Sequence, residues 1–135
     1  MGAKRILIIE DDAFCREAME HLLQSLGYET HSCSCGKEAV ARLAEEVFDI
    51  LITDFQMPGM DGLELIRRAR NMDPTMAMIL VTGVPPEDLG DRLKKSRLDA
   101  FLSKPLDWQE LSLLLESLCR MKGQGSGKFG AEGAG

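Results

Sequence analysis

Glu10 and Asp11, Asp54, Thr82 and Lys104 are the side chains whose types and spacing could do chemistry in this chain. Each lies at the end of a short apolar run. Glu10-Asp11-Asp12 ends the run Arg5 to Ile9, and Asp54 ends Ile50-Leu51-Ile52-Thr53. Thr82 ends Met76 to Val81, and Lys104 follows Ala100-Phe101-Leu102. Carboxylates gathered in one place repel one another unless they are protonated or metallated. An oxygen-only set of this kind suits a hard cation such as Mg2+, which takes one or two carboxylates and completes its shell with water and phosphate oxygens. A proton-sharing acid/base site is the alternative, and no His or second base stands where it would support one. One nucleophilic carboxylate, one cation site, one hydroxyl and one mobile ammonium together serve phosphoryl transfer onto Asp54, giving an aspartyl phosphate. Lys104 would pair with one phosphoryl oxygen and Thr82 would donate to another.

That chemistry requires strands that end at a common edge. The runs at 5–9, 50–54, 76–81 and 100–102 are short, apolar and bounded by Gly, Pro or Asp, as in parallel strands covered on both faces. Tyr28 to Cys33 is a weaker, more polar strand expected near an edge. Between the strands the period turns helical. Phe14, Ala18, Leu22 and Leu26 are four apart, with Cys15, Met19 and Leu23 widening the stripe. A second helix opens at Ser34-Cys35-Gly36, with Ala39, Val40, Leu43, Ala44 and Val47 as its apolar face. Asp61 caps a third, with Glu64 as capping-box partner and Leu63, Ile66 and Ala69 facing inward. Pro85-Pro86 suits the first turn of a fourth, roughly 86 to 96, which contains Gly90. Asp107 and Glu110 start a fifth, whose face is Leu111, Leu114, Leu115 and Leu118.

Five alternations of strand and helix with short links point to an α/β fold. The expected architecture is a flavodoxin-like (βα)5 doubly wound parallel sheet, strand order 2-1-3-4-5, in a single domain. In that order the crevice lies between the first and third strands, where Glu10, Asp11 and Asp54 would meet.

The 135 residues suit one domain, and 44% hydrophobic with 28% charged residues is ordinary for a water-soluble globular protein. A formal net charge of −6 argues against direct nucleic-acid binding. Cys15, Cys33, Cys35 and Cys119 lack paired C-x-x-C or His ligands, so reduced cytoplasmic thiols are expected. No signal peptide is evident, and no apolar run approaches the roughly 20 residues of a membrane helix. From Lys122 to Gly135 the chain is Gly-rich and nearly devoid of apolar residues, so a disordered tail or linker at 122–135 is expected after a domain at 4–121.

Four blocks in order, Ile-Ile-Glu10-Asp11-Asp12, Thr53-Asp54-Phe-Gln-Met-Pro58-Gly-Met-Asp61-Gly62, Val81-Thr82-Gly83 and Lys104-Pro105, resemble the response-regulator receiver domain of two-component signalling, of the chemotaxis-receiver kind. The resemblance covers about residues 4 to 121. It implies a switch rather than an ordinary enzyme, one that assists its own phosphorylation and dephosphorylation. Asp54 would be the phosphoacceptor. Asp11, Asp54 and the backbone carbonyl of Gln56 would be direct Mg2+ ligands, and Glu10 would hold a metal-bound water. Thr82 and Lys104 would contact the phosphoryl group, and Phe101 would be the aromatic switch partner. Phosphorylation would turn the Thr82 hydroxyl toward Asp54 and leave space for Phe101 to fill, changing the face formed by the fourth helix, fifth strand and fifth helix. The implied partners are a sensor histidine kinase or histidine phosphotransfer protein, and a downstream target or output domain. No direct contact with nucleic acid or membrane is implied, and the state is a monomer or a phosphorylation-dependent dimer.

The sequence departs from the commonest family pattern in four places. The acidic pair is Glu-Asp, Asp12 reads as a helix cap rather than a ligand, Gly83 stands where many members have Ala, and Arg97-Leu98-Asp99 replaces a Gly-containing turn. A haloacid-dehalogenase-type phosphatase also uses Asp and Mg2+, but Glu10-x-Asp12 is not its D-x-D motif. A non-phosphorylated interaction domain is a further alternative, which would be expected to have lost pocket residues. Gly125-Ser126-Gly127-Lys128 is not a phosphate loop, because Lys122 stands where Gly is required and Phe129 where Ser or Thr is.

Overall fold

The computed structural model describes residues 2–123. The elements run β1 (Arg5–Ile9), α1 (Ala13–Ser25), β2 (Glu29–Cys33), α2 (Gly36–Glu45), β3 (Ile50–Asp54), α3 (Gly62–Met72), β4 (Ala77–Thr82), α4 (Pro86–Lys95), β5 (Ala100–Ser103) and α5 (Trp108–Gly123). The five strands form one parallel sheet in the order β2-β1-β3-β4-β5, the flavodoxin-like order expected from the sequence. Packing divides the chain into two compact units, one ending at Pro105 and one beginning at Leu106. The first holds the whole sheet and four helices. In the second, Asp107 accepts hydrogen bonds from the Gln109 and Glu110 amides at the start of α5 (2.9 and 3.2 Å), as expected of a cap. α5 runs two residues past the domain boundary expected at 121; the rest of the expected disordered tail lies outside the described residues.

Alternate residues of the central strands serve the two faces of the sheet. Leu7, Ile9, Leu51, Met78 and Leu80 join Ala39, Leu63, Leu65, Ile66 and Ala69 in one buried cluster beneath α2 and α3. Ile6, Ile8, Ile50, Ile52 and Ile79 are equally buried on the alternate positions. Full burial of each such side chain contributes about 1.5–3 kcal/mol relative to exposure.

The helices differ in detail from their sequence patterns. In α1 the buried residues are Met19 and Leu23, whereas Phe14 is 81% and Leu26 45% exposed. A stripe drawn at four-residue steps drifts by roughly 40° per step around a helix of 3.6 residues per turn, so its two ends leave the covered face. Val47 is exposed because α2 stops at Glu45 and the chain is extended from Glu46, and Ala44, in the last turn of α2, is exposed as well. The anchor there is Phe48, at 2% exposure, which the α2 pattern did not include. Asp61 caps α3 by accepting from the Glu64 amide (2.9 Å), but the capping box is half made. The Glu64 carboxylate is drawn instead to Arg67 (2.7 Å) and Arg68 (2.9 Å), one turn on. α4 is broken at Gly90, whose φ of 58° and ψ of −138° lie where a side chain would be strained.

Candidate functional site

Strand register alone brings the chemistry together. Ile9 lies opposite Thr53, so Glu10 and Asp54 leave β1 and β3 at the same level. Asp54 lies opposite Val81 and Thr82 opposite Ser103, so Thr82 and Lys104 each stand one step further along the same edge. The edge is the carboxyl end of the sheet, where open α/β folds bind their ligands.

Asp54 is 8% and Glu10 3% exposed, so both carboxylates lie largely out of water. Asp54 Oδ1 accepts from the Phe55 amide (2.8 Å) and Oδ2 from Lys104 Nζ (3.1 Å). The same ammonium reaches Glu10 Oε1 at 3.3 Å, and Glu10 Oε2 accepts from the Asp12 amide (3.1 Å). Arg16 donates to the Glu10 carbonyl (2.7 Å), a support the motif did not indicate. Burial first, and then the charge of Asp54, push the Glu10 carboxyl above its ordinary value, against the opposing pull of the Asp12 amide and Lys104. Burial works against the charge on Lys104, but the hydrogen bond and charge of Asp54, with Glu10, outweigh it and hold the ammonium above its ordinary value.

Asp11 is exposed beside them. One carboxylate oxygen each from Glu10, Asp11 and Asp54 lie within 4.8 Å of one another. Three carboxylates face one ammonium, and the donors are all oxygen, so the residues present fit a hard divalent ion. Asp12 is the N-cap of α1, accepting from the Cys15 amide (3.1 Å), as its position predicts. Gln56 lies in the exposed loop after β3. Thr82 is buried, and its hydroxyl oxygen accepts from the Val84 amide (3.1 Å). Phe101 is half-buried on β5 and packs on the core cluster.

Gly62 has a part in the site that no spacing argument assigns. A Cβ there would stand 2.2 Å from the Asp54 carbonyl oxygen and 2.9 Å from Phe55 Cα. Its amide donates to the Phe55 carbonyl (2.8 Å), so the loop after Asp54 folds back tightly onto the first turn of α3. The Asp61-Gly62 pair is the sequence signal for that close approach.

The chain matches the model of the response regulator receiver domain over residues 6–116 and belongs to that family, the receiver domains of two-component systems. The match runs across both compact units. Over 115 residues the chain is 37% identical to the response regulator receiver protein CpdR of Brucella abortus, covering 85% of this chain and 96% of that protein. It is 42% identical over 82 residues to the C4-dicarboxylate transport transcriptional regulatory protein DctD of Rhizobium meliloti, covering 61% of this chain and only 18% of that one. A CheY-like receiver domain structure from Methanospirillum hungatei superposes with a TM-score of 0.84 at 28% identity, over 91% of this chain and 99% of its own. Membership of this family disfavours the haloacid-dehalogenase alternative. Among the described residues, no helix is long and apolar enough to cross a membrane.

Proposed function

We propose that this chain is a phosphorylation-driven switch in which Asp54 is the phosphoacceptor. The observation that carries the proposal is the buried Asp54 carboxylate held by Lys104 at 3.1 Å, beside two further acids, at the carboxyl edge of the sheet. Glu10, Asp11, Asp54 and the Gln56 carbonyl would hold Mg2+, which when bound offsets negative charge on the phosphoryl oxygens. An Asp54 carboxylate oxygen attacks phosphorus as the bond to the donor breaks, and the leaving group departs with that bond's electron pair. Lys104 already bridges Asp54 and Glu10, so a small shift of Nζ brings it onto a phosphoryl oxygen. The Thr82 hydroxyl accepts from Val84, which leaves its proton free to donate to another. Phe101, on the next strand, would follow Thr82.

The phosphoryl donor would be a sensor histidine kinase or a histidine phosphotransfer protein in the cytoplasm, and the reader a downstream protein or output domain. DctD carries a transcriptional regulatory name, so an output of that class is one candidate. The test is intact mass after acetyl phosphate and Mg2+. Wild type should gain one phosphoryl group and Asp54→Asn none, while Thr82→Ala should gain it yet show weaker beryllofluoride-induced amide shifts over 84–103. Equal uptake by wild type and Asp54→Asn would overturn the assignment.

A further inference from the structure

A groove of about 180 Å³ lies between α3 and α4, lined by Leu63, Glu64, Arg67, Arg92, Lys95 and Ser96. It belongs neither to the phosphoacceptor site nor to the Thr82–Phe101 step. Three of its six lining residues are cations and one is an acid, in a chain whose net charge is −6. The Arg67 and Arg92 side chains are 60% and 53% exposed. Lys95 is exposed, with no ion-pair partner among the described residues. Leu63 supplies an apolar floor at 4% exposure. In the resting chain the arginines are already occupied by carboxylates. Arg67 binds Glu64 (2.7 Å), and Arg92 binds Asp61 (2.8 Å) while its guanidinium lies 5.7 Å from the Phe55 ring centre.

We infer that this groove docks a partner protein segment presenting carboxylates beside an apolar side chain, and that a partner carboxylate takes Arg92 in exchange for Asp61. The volume is below the roughly 300–1,000 Å³ of small-molecule sites, and it suits one or two side chains rather than a whole cofactor. The carboxylates of Glu64 and Asp61 stand among the three cations, which works against the closely spaced phosphates of a nucleic acid in the same place. The exchange reaches the phosphoacceptor end through covalent neighbours, because Asp61 caps α3 and Phe55 follows Asp54 directly. Gly90 lies two residues before Arg92 at the break in α4, so the half-helix carrying Arg92 and Lys95 is set apart from the first turn of α4. The inference deepens the proposed switch by naming a partner surface. Its test uses no phosphoryl group, so the two can fail separately.

The 15N-labelled chain is titrated with a synthetic amphipathic Leu/Glu peptide, matched Leu/Gln and Leu/Lys peptides, and a single-stranded oligonucleotide. The Leu/Glu peptide should bind saturably and shift the amides of 63–67 and 92–96. Lys95→Glu should weaken it about five-fold, the order expected on reversing one exposed charge at an interface. Asp61→Asn, which keeps a capping side chain but frees Arg92, should tighten it about two-fold. The inference is overturned by no saturable binding, by shifts centred elsewhere, by equal binding of the Leu/Gln or Leu/Lys peptide, or by tighter binding of the oligonucleotide. It is also overturned by unchanged affinity in Lys95→Glu or by weaker affinity in Asp61→Asn.

Discussion

The two ends of the sheet both carry dense charge, but they settle it differently. At the amino end, Arg5 donates to Glu29 (3.0 Å), Glu46 (2.7 Å) and the Val47 carbonyl (2.6 Å) and lies 4.7 Å above Phe48. Arg42 pairs with Glu46 (2.9 Å) and contacts His31, so two arginines face two glutamates. Nearby, Arg70 ties α3 to the carbonyls of Pro74 (2.9 Å), Met76 (2.7 Å) and Arg97, and pairs with Asp99 (3.1 Å). At the carboxyl end, Glu10 and Asp54 share one lysine, and the Asp11 carboxylate stands beside them with no cation of its own among the described residues. Matched charges with fixed partners act as braces. A surplus of buried acid is unfavourable to the fold by itself and is relieved by an added cation. That difference, more than charge density, separates the candidate site from the scaffold.

The sharpest way to break the comparison is at the amino end. Arg70→Ala removes four acceptors' worth of bonding and leaves the Asp99 carboxylate, which also holds the Met78 amide (2.8 Å), partly buried and unpaired. Loss of one partner from such a pair costs about 3–5 kcal/mol. Urea denaturation should show a loss of that order, with acetyl-phosphate labelling retained at denaturant-free temperatures where the variant is folded. A change below 1 kcal/mol would mean that Arg70 is not a brace.

The next effect belongs to the carboxyl end. If the acid surplus defines a cation site, Mg2+ at ten times its dissociation constant should stabilise by about 1.4 kcal/mol. The melting temperature should rise with Mg2+ in wild type, and Asp11→Asn should flatten the rise. A flat wild-type titration would remove the distinction between the two ends.

A smaller effect tests the same surplus without metal. The Glu10 carboxyl titrates above its ordinary value of 4.5, so the folded state prefers it protonated. Its contribution is therefore fully present below pH 4.5 and is lost as pH rises through the raised value. Glu10→Gln should lose less stability than wild type across that window in metal-free buffer, by less than the Mg2+ response. Parallel loss in the two proteins, measured by chemical denaturation at stepped pH, would mean that the Glu10 charge costs nothing.

The carboxyl end was far more legible in sequence than the amino end, for a physical reason. Site residues sit at strand ends, and strands announce themselves by short apolar runs, so Glu10, Asp54, Thr82 and Lys104 could be placed once the alternation was read as a flavodoxin-like sheet of order 2-1-3-4-5. The longer braces depend on side chains reaching far along the chain, 24 positions from Arg5 to Glu29, 29 from Arg70 to Asp99 and 41 from Arg5 to Glu46. No local period encodes such pairs. Arg70 is a buried cation in a helix whose pattern suggested only an apolar inner face, and Phe48 lies in a link just past a helix end. Gly62 was visible as a residue, but its near-contact with the Asp54 carbonyl is not.

The smallest expected effect concerns the rim of the acidic end. Phe14 is a large apolar residue in the first turn of α1, three positions after Asp11, and its sequence spacing with Ala18 and Leu22 assigns it to the core. In the fold it is 81% exposed, whereas Leu23 on the same helix is fully buried. Truncation of an exposed side chain removes little area from the interior, so Phe14→Ala should change stability by less than about 0.5 kcal/mol. Leu23→Ala opens a cavity and should cost about 2–5 kcal/mol. The pair is measured together in urea; Phe→Ala gains more helix propensity than Leu→Ala, which widens the expected gap between them. If Phe14→Ala costs as much as Leu23→Ala, the drifting stripe is the true packing face and α1 is rotated from the orientation described. If it costs little, the carboxyl rim carries an apolar ring that folding does not use. Acetyl-phosphate labelling of Asp54 should then be unchanged by its loss, because no atom of the ring is needed to hold Glu10, Asp54 or Lys104.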